Sequence, residues 1–339
     1  MRRIRLMATL ADTREELRVA IVGAGLMGRW HAQYAAVSGA EIAAIVDPDP
    51  AARATLGKKY GTAAQFADLE ACLGSDSVEV VHVCTPSESH FRLVAHALEA
   101  GKHVLVEKPV AGSAAETRRL VQLAEQNGVL LNPVHQFPFQ HGFRTLLDRL
   151  DRLGTPVELS FVTNSAGGTG RKADERRELL FSILPHPLSL FRAVLRTSVA
   201  GIGWQVIAST DDDLDLGATH DRTVLRARIS LRGRPTTNVL TVVGDRATGH
   251  VDLFHGFSIV QGGAPSRRTK VTQPFSYAEK LLVAAGTNLV RRSARLEPAY
   301  PGLRELIDLF YDAVRRRTTG PIADAETLEI ADVVDRLRA

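Results

Sequence analysis

The chain has 339 residues, 45% hydrophobic and 24% charged, a length beyond what one hydrophobic core usually serves and a composition unlike that of a disordered chain. Its 42 basic residues are offset by 38 acidic ones for a formal charge of +4, and so thin an excess argues against nucleic acid as a partner. Cys72 and Cys84 stand apart from any C-x-x-C pair or metal-spaced histidine, which points to a reducing, cytoplasmic setting and no metal site.

In chain order, Met1 to Arg18 is charged and interrupted by Asp12, Arg14, Glu15 and Glu16. It reads as an N-terminal arm (1–17), not a signal peptide, and no later stretch approaches the ~20 apolar residues of a membrane span. Short β-branched runs then alternate with helical spacing. Strands are predicted at Val19 to Val22, Ile42 to Val46, Val78 to Val83, His103 to Val106 and Val129 to Leu131, and helices at Met27 to Val37, Pro50 to Tyr60, Glu88 to Glu99 and Ala114 to Gln126. This alternation predicts an α/β domain over 1–135 with a doubly wound parallel sheet of the Rossmann kind.

Beyond a helix at Phe143 to Arg152, strands follow one another at Val157 to Thr163, Trp204 to Ser209, Thr223 to Leu231, Asn238 to Val243 and His250 to Phe254. They predict an α+β domain over 136–339 with a large, mostly antiparallel sheet. Helices at Ala278 to Arg292, Leu303 to Arg317 and Asp324 to Arg338 close the chain and are free to pack back on the first domain. Ser165 to Glu178 reads as a loop at the mouth of a cleft, with Arg171, Lys172, Arg176 and Arg177 as alternative anion contacts. Asp211 to Asp215 reads as a solvated turn, His220, His250 and His255 as structural, and Trp204 with its sheet as the surface of a homo-oligomer, dimer or tetramer.

The first motif follows the first strand. Gly23, Ala24, Gly25, Leu26, Met27 and Gly28 carry the G-x-G-x-x-G spacing and open a helix. Gly23 permits the turn, Gly25 lets a diphosphate approach the backbone, Gly28 lets helix and sheet pack closely, and the helix N-terminus offers N–H groups to the phosphates. Asp47 ends the second strand at the spacing expected for a carboxylate that accepts from a ribose 2′-hydroxyl. Pro48, Asp49 and Pro50 follow it with no Arg for a 2′-phosphate, so NAD is favoured over NADP.

Three more segments carry a resemblance. Cys84, Thr85, Pro86, Ser87 and His90, then Glu99 to Val104, then Glu107, Lys108 and Pro109, together with the glycine turn, resemble the Gfo/Idh/MocA (glucose-fructose oxidoreductase and inositol dehydrogenase) family over the whole first domain. The resemblance implies that Thr85 and Pro86 line the cofactor's diphosphate and nicotinamide side, that Glu107 reaches the nicotinamide ribose, and that Lys108 faces the substrate as proton donor or polarising cation. His90 stands open between a cofactor contact and a structural hydrogen bond.

In the second domain the family carries an Asp and, four residues later, a His; here the pair is Ser182 and His186. Pro187 suits the first helical position, which places His186 at an N-cap as a neutral imidazole, with Ser182 within reach of its ring. The approach at Arg176 to Phe181 lacks the family's glycines, and His135, Gln136, Phe137, Pro138 and Phe139 lack its Arg-Phe pair. His135 and Gln136 become the expected polar contacts of a small-molecule substrate less hydroxylated than a simple sugar. The implied activity is hydride transfer to or from a carbonyl, imine or alcohol carbon, with Lys108 and His186 catalytic. An epimerase or lyase without net redox change, or a dinucleotide- or sugar-sensing regulator, is the alternative.

Overall fold

The computed structural model describes residues 16–61, 63–75, 78–262 and 266–338, so the arm up to residue 15 lies outside the described residues. The first part of the chain alternates β1 (Arg18–Val22), α1 (Leu26–Val37), β2 (Glu41–Val46), α2 (Pro50–Gly57), β3 (Ala64–Phe66), α3 (Leu69–Leu73), β4 (Val80–Val83), α4 (His90–Glu99), β5 (His103–Val106), α5 (Ala114–Asn127) and β6 (Leu131–Pro133). The strands form one parallel sheet in the order β3-β2-β1-β4-β5-β6. Val19, Ala20, Ile21, Val80, Val81, Val104 and Leu105 are fully buried, as strands covered by helices on both faces must be. β3 and α3 were not anticipated. Ala-Gln-Phe holds no β-branched residue and forms a short edge, so neither composition nor alternation signals it.

The second part runs α6 (His141–Leu147), α7 (Leu150–Leu153), β7 (Pro156–Asn164), α8 (Ala173–Ile183), α9 (Pro185–Leu195), β8 (Gln205–Ser209), β9 (Asp213–His220), β10 (Thr223–Ser230), β11 (Thr237–Gly244), β12 (Ala247–Asp252), β13 (Phe257–Gly262), α10 (Arg267–Ala294), α11 (Leu303–Arg316) and α12 (Asp324–Arg338). Its seven strands are ordered β13-β12-β11-β7-β10-β9-β8, antiparallel except where β7 meets β10. One face packs on α8 and α9 through Leu159, Phe161, Leu214, Leu225, Ile229, Leu240, Leu184, Leu188 and Phe191.

Several local expectations are corrected. Asp213 and Asp215 lie in β9, not in a turn, because Leu214 and Leu216 alternate with them into the core. They pair with Arg232 (2.7 Å) and Arg228 (3.2 Å) on the open face. The loop before α8 ends at Lys172, and Arg176 and Arg177 are ion-paired with Asp212 (2.8 Å) and Asp211 (2.7 Å) instead of waiting for an anion. Trp204 is half-buried, stacked on Phe191 at 5.8 Å with its Nε1 donating to the Val199 carbonyl. Residues 173–195 have the length and hydropathy of a membrane span, yet Pro185 divides them into two helices whose apolar side chains form the core.

The chain then returns to the first sheet. Leu303, Leu306, Ile307, Phe310 and Tyr311 of α11 share a buried cluster with Val19, Ile21, Tyr34 and Ile45. On the opposite side, α12 packs on α5 and α9, and Asp335 accepts from the Ala114 N–H at the start of α5 (2.7 Å).

Candidate active site

The glycine turn is built by packing. Gly23 has φ +96°, and a Cβ on it would lie 2.8 Å from the Cys84 carbonyl oxygen; one on Gly28 would lie 1.8 Å from the Gly23 carbonyl oxygen. Both positions are closed to side chains by the fold alone. Gly25 is different, since nothing lies within 4 Å of where its Cβ would sit. It is the N-cap of α1 and no side chain caps that helix, so uncapped N–H groups meet an open approach. Leu26 is exposed and Met27 borders the main cleft. Asp47 ties the turn to β2, one carboxylate oxygen accepting from the Ala24 N–H (2.7 Å) and the other from the Asp49 N–H (2.9 Å).

The cleft below this turn has a volume of about 1400 Å³ and lies between the two sheets. Thr85, Pro86, His90, Glu107 and Lys108 line its first-domain wall, and Gln136, Asn164, Ser182, His186 and Asn238 its second-domain wall. His90 is fully buried, with one ring nitrogen 2.9 Å from the Thr85 carbonyl and the other 2.7 Å from the Pro109 carbonyl. It ties the Thr85–Pro86 turn to the Lys108–Pro109 turn and keeps no ring nitrogen for a ligand.

Glu107 heads a buried chain that the sequence did not reveal. Its Oε1 is 3.1 Å from His31 Nε2, His31 Nδ1 is 3.0 Å from His82 Nδ1, and His82 Nε2 is 3.0 Å from the Tyr311 hydroxyl. Burial, helped by His31, holds His82 well below the usual imidazole range, and burial holds Tyr311 well above the usual phenol range. One proton assignment then satisfies every contact: Tyr311 donates to His82, His82 to His31, and His31 to the Glu107 carboxylate. Burial pushes the Glu107 carboxyl up, but the His31 hydrogen bond and the nearby charge of Lys108 outweigh it and leave the group below its ordinary value. A signal existed, since His82 is a polar residue inside a Val-rich strand and His31 lies three residues beyond Gly28.

Lys108 makes no hydrogen bond or ion pair with any described residue. Burial lowers its amine below the ordinary lysine value, against the opposing pull of Glu107. Across the cleft, His186 is the second residue of α9, not its N-cap. Leu184 caps the helix and Pro185, which has no N–H to pair, takes the first position. The His186 ring stacks on Phe137 at 4.2 Å, and its Nδ1 is buried without a partner among the described residues. Burial first, then the nearby charges of Lys108 and His135, hold it well below the usual imidazole range. Ser182 does not reach it, because its hydroxyl donates to the Leu179 carbonyl one turn back (2.8 Å). His135 sits behind the wall, its Nδ1 also unpartnered, and burial pushes it down to about 4. It borders a separate small cavity with Pro185 and Asp335 while Gln136 reaches the cleft.

Residues 17–135 match the sequence model of the oxidoreductase family with NAD-binding Rossmann fold. Those residues belong to the Gfo/Idh/MocA family. Within this Gfo/Idh/MocA region the chain is 36% identical over 135 residues to D-glucoside 3-dehydrogenase of Escherichia coli, covering 39% of this chain and 37% of that protein. It is 33% identical over 141 residues to inositol 2-dehydrogenase of Corynebacterium glutamicum, covering 41% of each. The matched stretch is thus about two fifths of these relatives. The fold likeness extends further. WlbA dehydrogenase from Bordetella pertussis, solved with NADH and UDP-GlcNAcA, superposes with a TM-score of 0.73 at 16% identity over 95% of this chain and 94% of that one. GenD2 from gentamicin A biosynthesis, solved with NAD, does so with a TM-score of 0.73 at 21% identity over 96% and 93%.

Proposed function

We propose that this chain is an NAD-dependent dehydrogenase or reductase of a small molecule, with Lys108 and His186 handling the substrate's proton and polarity. The observation that carries this reading is a lysine amine without a partner among the described residues, lining the same cleft as the buried ring of His186. A nicotinamide dinucleotide, when bound, supplies hydride transfer to or from a carbonyl, imine or alcohol carbon.

The first-domain wall fits such a group. The open approach at Gly25 with the uncapped N–H groups of Leu26 and Met27 suits the diphosphate, and Asp47 has lone pairs beyond its two backbone contacts for the adenosine ribose. Thr85, Pro86 and Glu107 serve the nicotinamide side, Glu107 held by His31. His90 acts through the two turns it joins.

Lys108, carrying its proton, donates to a developing oxyanion in reduction; deprotonated, it accepts the hydroxyl proton in oxidation. Its lowered pKa brings both forms nearer neutrality. His186, neutral in this setting, hydrogen-bonds the reacting oxygen and keeps it oriented. With Ser182 turned away, no carboxylate among the described residues fixes the His186 tautomer, so the substrate's own donor or acceptor sets it.

The relatives are named for inositol and a glucoside. Here Phe137 against His186, and Ser182 in place of an acid, support a cyclic substrate with fewer hydroxyls. The free thiols support a reducing compartment, the cytoplasm, and the open face of the second sheet supports a homo-oligomer.

Calorimetry with NAD⁺, NADH and NADP⁺, followed by absorbance at the reduced nicotinamide band with a panel of cyclic alcohols, ketones and imines, tests the reading. NAD binds at least tenfold tighter than NADP, and at least one substrate gives net absorbance change. Heat from neither dinucleotide overturns the assignment, and turnover without absorbance change moves it to an epimerase or lyase.

A further inference from the structure

Helix α10 is amphipathic with its faces reversed. Towards the protein it is polar: Asn288 and Arg292 donate to the His255 carbonyl (2.9 Å each), Lys280 donates to the Val260 carbonyl (3.0 Å), and Tyr277 meets the His250 ring edge-on. Outward it is apolar, with Val271, Phe275, Leu282 and Leu289 between 68% and 76% exposed and Val283 and Val290 exposed beside them. A surface helix normally turns these faces the other way, and an apolar strip of this length on a soluble surface marks a contact.

The spacing specifies the contact. Val271, Phe275, Ala278, Leu282, Ala285 and Leu289 recur at alternating steps of four and three, the seam of a two-stranded coiled coil. Phe275, Leu282 and Leu289 fill one seam position, and Val271, Ala278 and Ala285 the other. A parallel pair would set large residues against large and alanine against alanine, leaving steric crowding next to gaps. An antiparallel pair removes the mismatch, because each large residue then faces a small one.

We propose that α10 pairs with α10 of a second copy of this chain, antiparallel, about a two-fold axis midway between Ala278 and Leu282. In that register Leu282 faces the partner's Ala278, Phe275 the partner's Ala285 and Leu289 the partner's Val271, with the reciprocal contacts following by symmetry. The strip is self-complementary, which commits it to a second copy over an unrelated protein. Side chains of these kinds expose on the order of 150 Å² each when free, so the strip offers roughly 650 Å² per protomer, near the ~800 Å² per partner of a standard interface. The pairing is independent of the open sheet face and of the cofactor reading.

Sedimentation of the full chain tests it. Leu282→Glu halves the wild-type mass and weakens association at least tenfold, with an unchanged circular dichroism spectrum because Leu282 is on the surface. Phe275→Cys with Ala285→Cys gives a cross-linked dimer on oxidation. Phe275→Cys alone does not, since ten residues of helix place the two copies of position 275 about 15 Å apart; wild type, with Cys72 and Cys84, is the control. A monomeric wild type, a mass unchanged by Leu282→Glu, or a monomer that co-floats with phosphatidylcholine–phosphatidylglycerol vesicles overturns the proposal.

Discussion

The two walls of the cleft are finished to different degrees. On the first-domain wall the polar groups other than Lys108 hold one another: Tyr311, His82, His31 and Glu107 form a closed chain, His90 spans two carbonyls, and Asp47 holds two backbone N–H groups. On the second-domain wall the Nδ1 atoms of His186 and, behind it, His135 are buried without partners among the described residues, and Ser182 points away. An unpartnered buried polar atom costs on the order of 1–3 kcal/mol. The contrast teaches that the protein pairs most polar groups of one wall and leaves two ring nitrogens unpaired in or behind the other.

The largest expected effect belongs to Lys108, which lines the first-domain wall without a partner among the described residues. Lys108→Ala should lower turnover by about 10³-fold while NADH affinity, measured by fluorescence titration, changes less than threefold. Retention of a tenth of the activity would remove the amine from the chemistry.

Next comes pH. His135, His82 and His186 all have pKa values below that of an unfolded histidine, so the unfolded chain takes up protons first on acidification. Their stabilising contribution is complete above about pH 6.5 and is lost as pH falls below it, with His135, whose share is gone by about pH 4, alone accounting for about 3 kcal/mol. Urea unfolding at pH 7.5, 6 and 5 measures this, and His135→Gln should shrink the fall by about 2 kcal/mol, the part lost by pH 5; a fall of equal size in the variant would show that the unfinished wall does not titrate.

Within the finished wall, the glycines divide by purpose. Gly25→Ala should leave the melting temperature within about 2 °C and weaken NAD binding at least tenfold, about 1.4 kcal/mol. Gly28→Ala should unfold the turn, because its Cβ would collide with the Gly23 carbonyl. Equal effects on stability would erase the distinction between packing and approach. The smallest effect is that of Tyr311→Phe. It leaves His82 without its donor, costs about 1 kcal/mol in chemical denaturation, and should raise KM for NAD more than it lowers kcat.

The first wall was legible because its constraints are local. A tight turn demands glycine, and strands covered on both faces demand β-branched runs, so Gly23 to Gly28, Asp47 and the Glu107–Lys108 strand end can be placed from sequence. The tie between His82 and Tyr311 spans 229 positions, which no periodicity reports. In the second domain β9 was hidden because its outward residues are aspartates, and α8 because its first turns carry charge in place of an apolar stripe. The entry of α9 was misjudged by two residues because Pro185 and Pro187 are equally good helix openers, and only the end of α8 chooses between them.

The late return of α11 sets the order of events during synthesis. The first six strands are complete at Pro133, but the side chains that cover Val19, Ile21 and Tyr34 are not made until Leu303 to Tyr311, some 170 residues on. At roughly 5–20 residues per second the ribosome holds a nascent sheet with one bare apolar flank for on the order of ten to thirty seconds. That interval is when a chaperone has most to do for this chain.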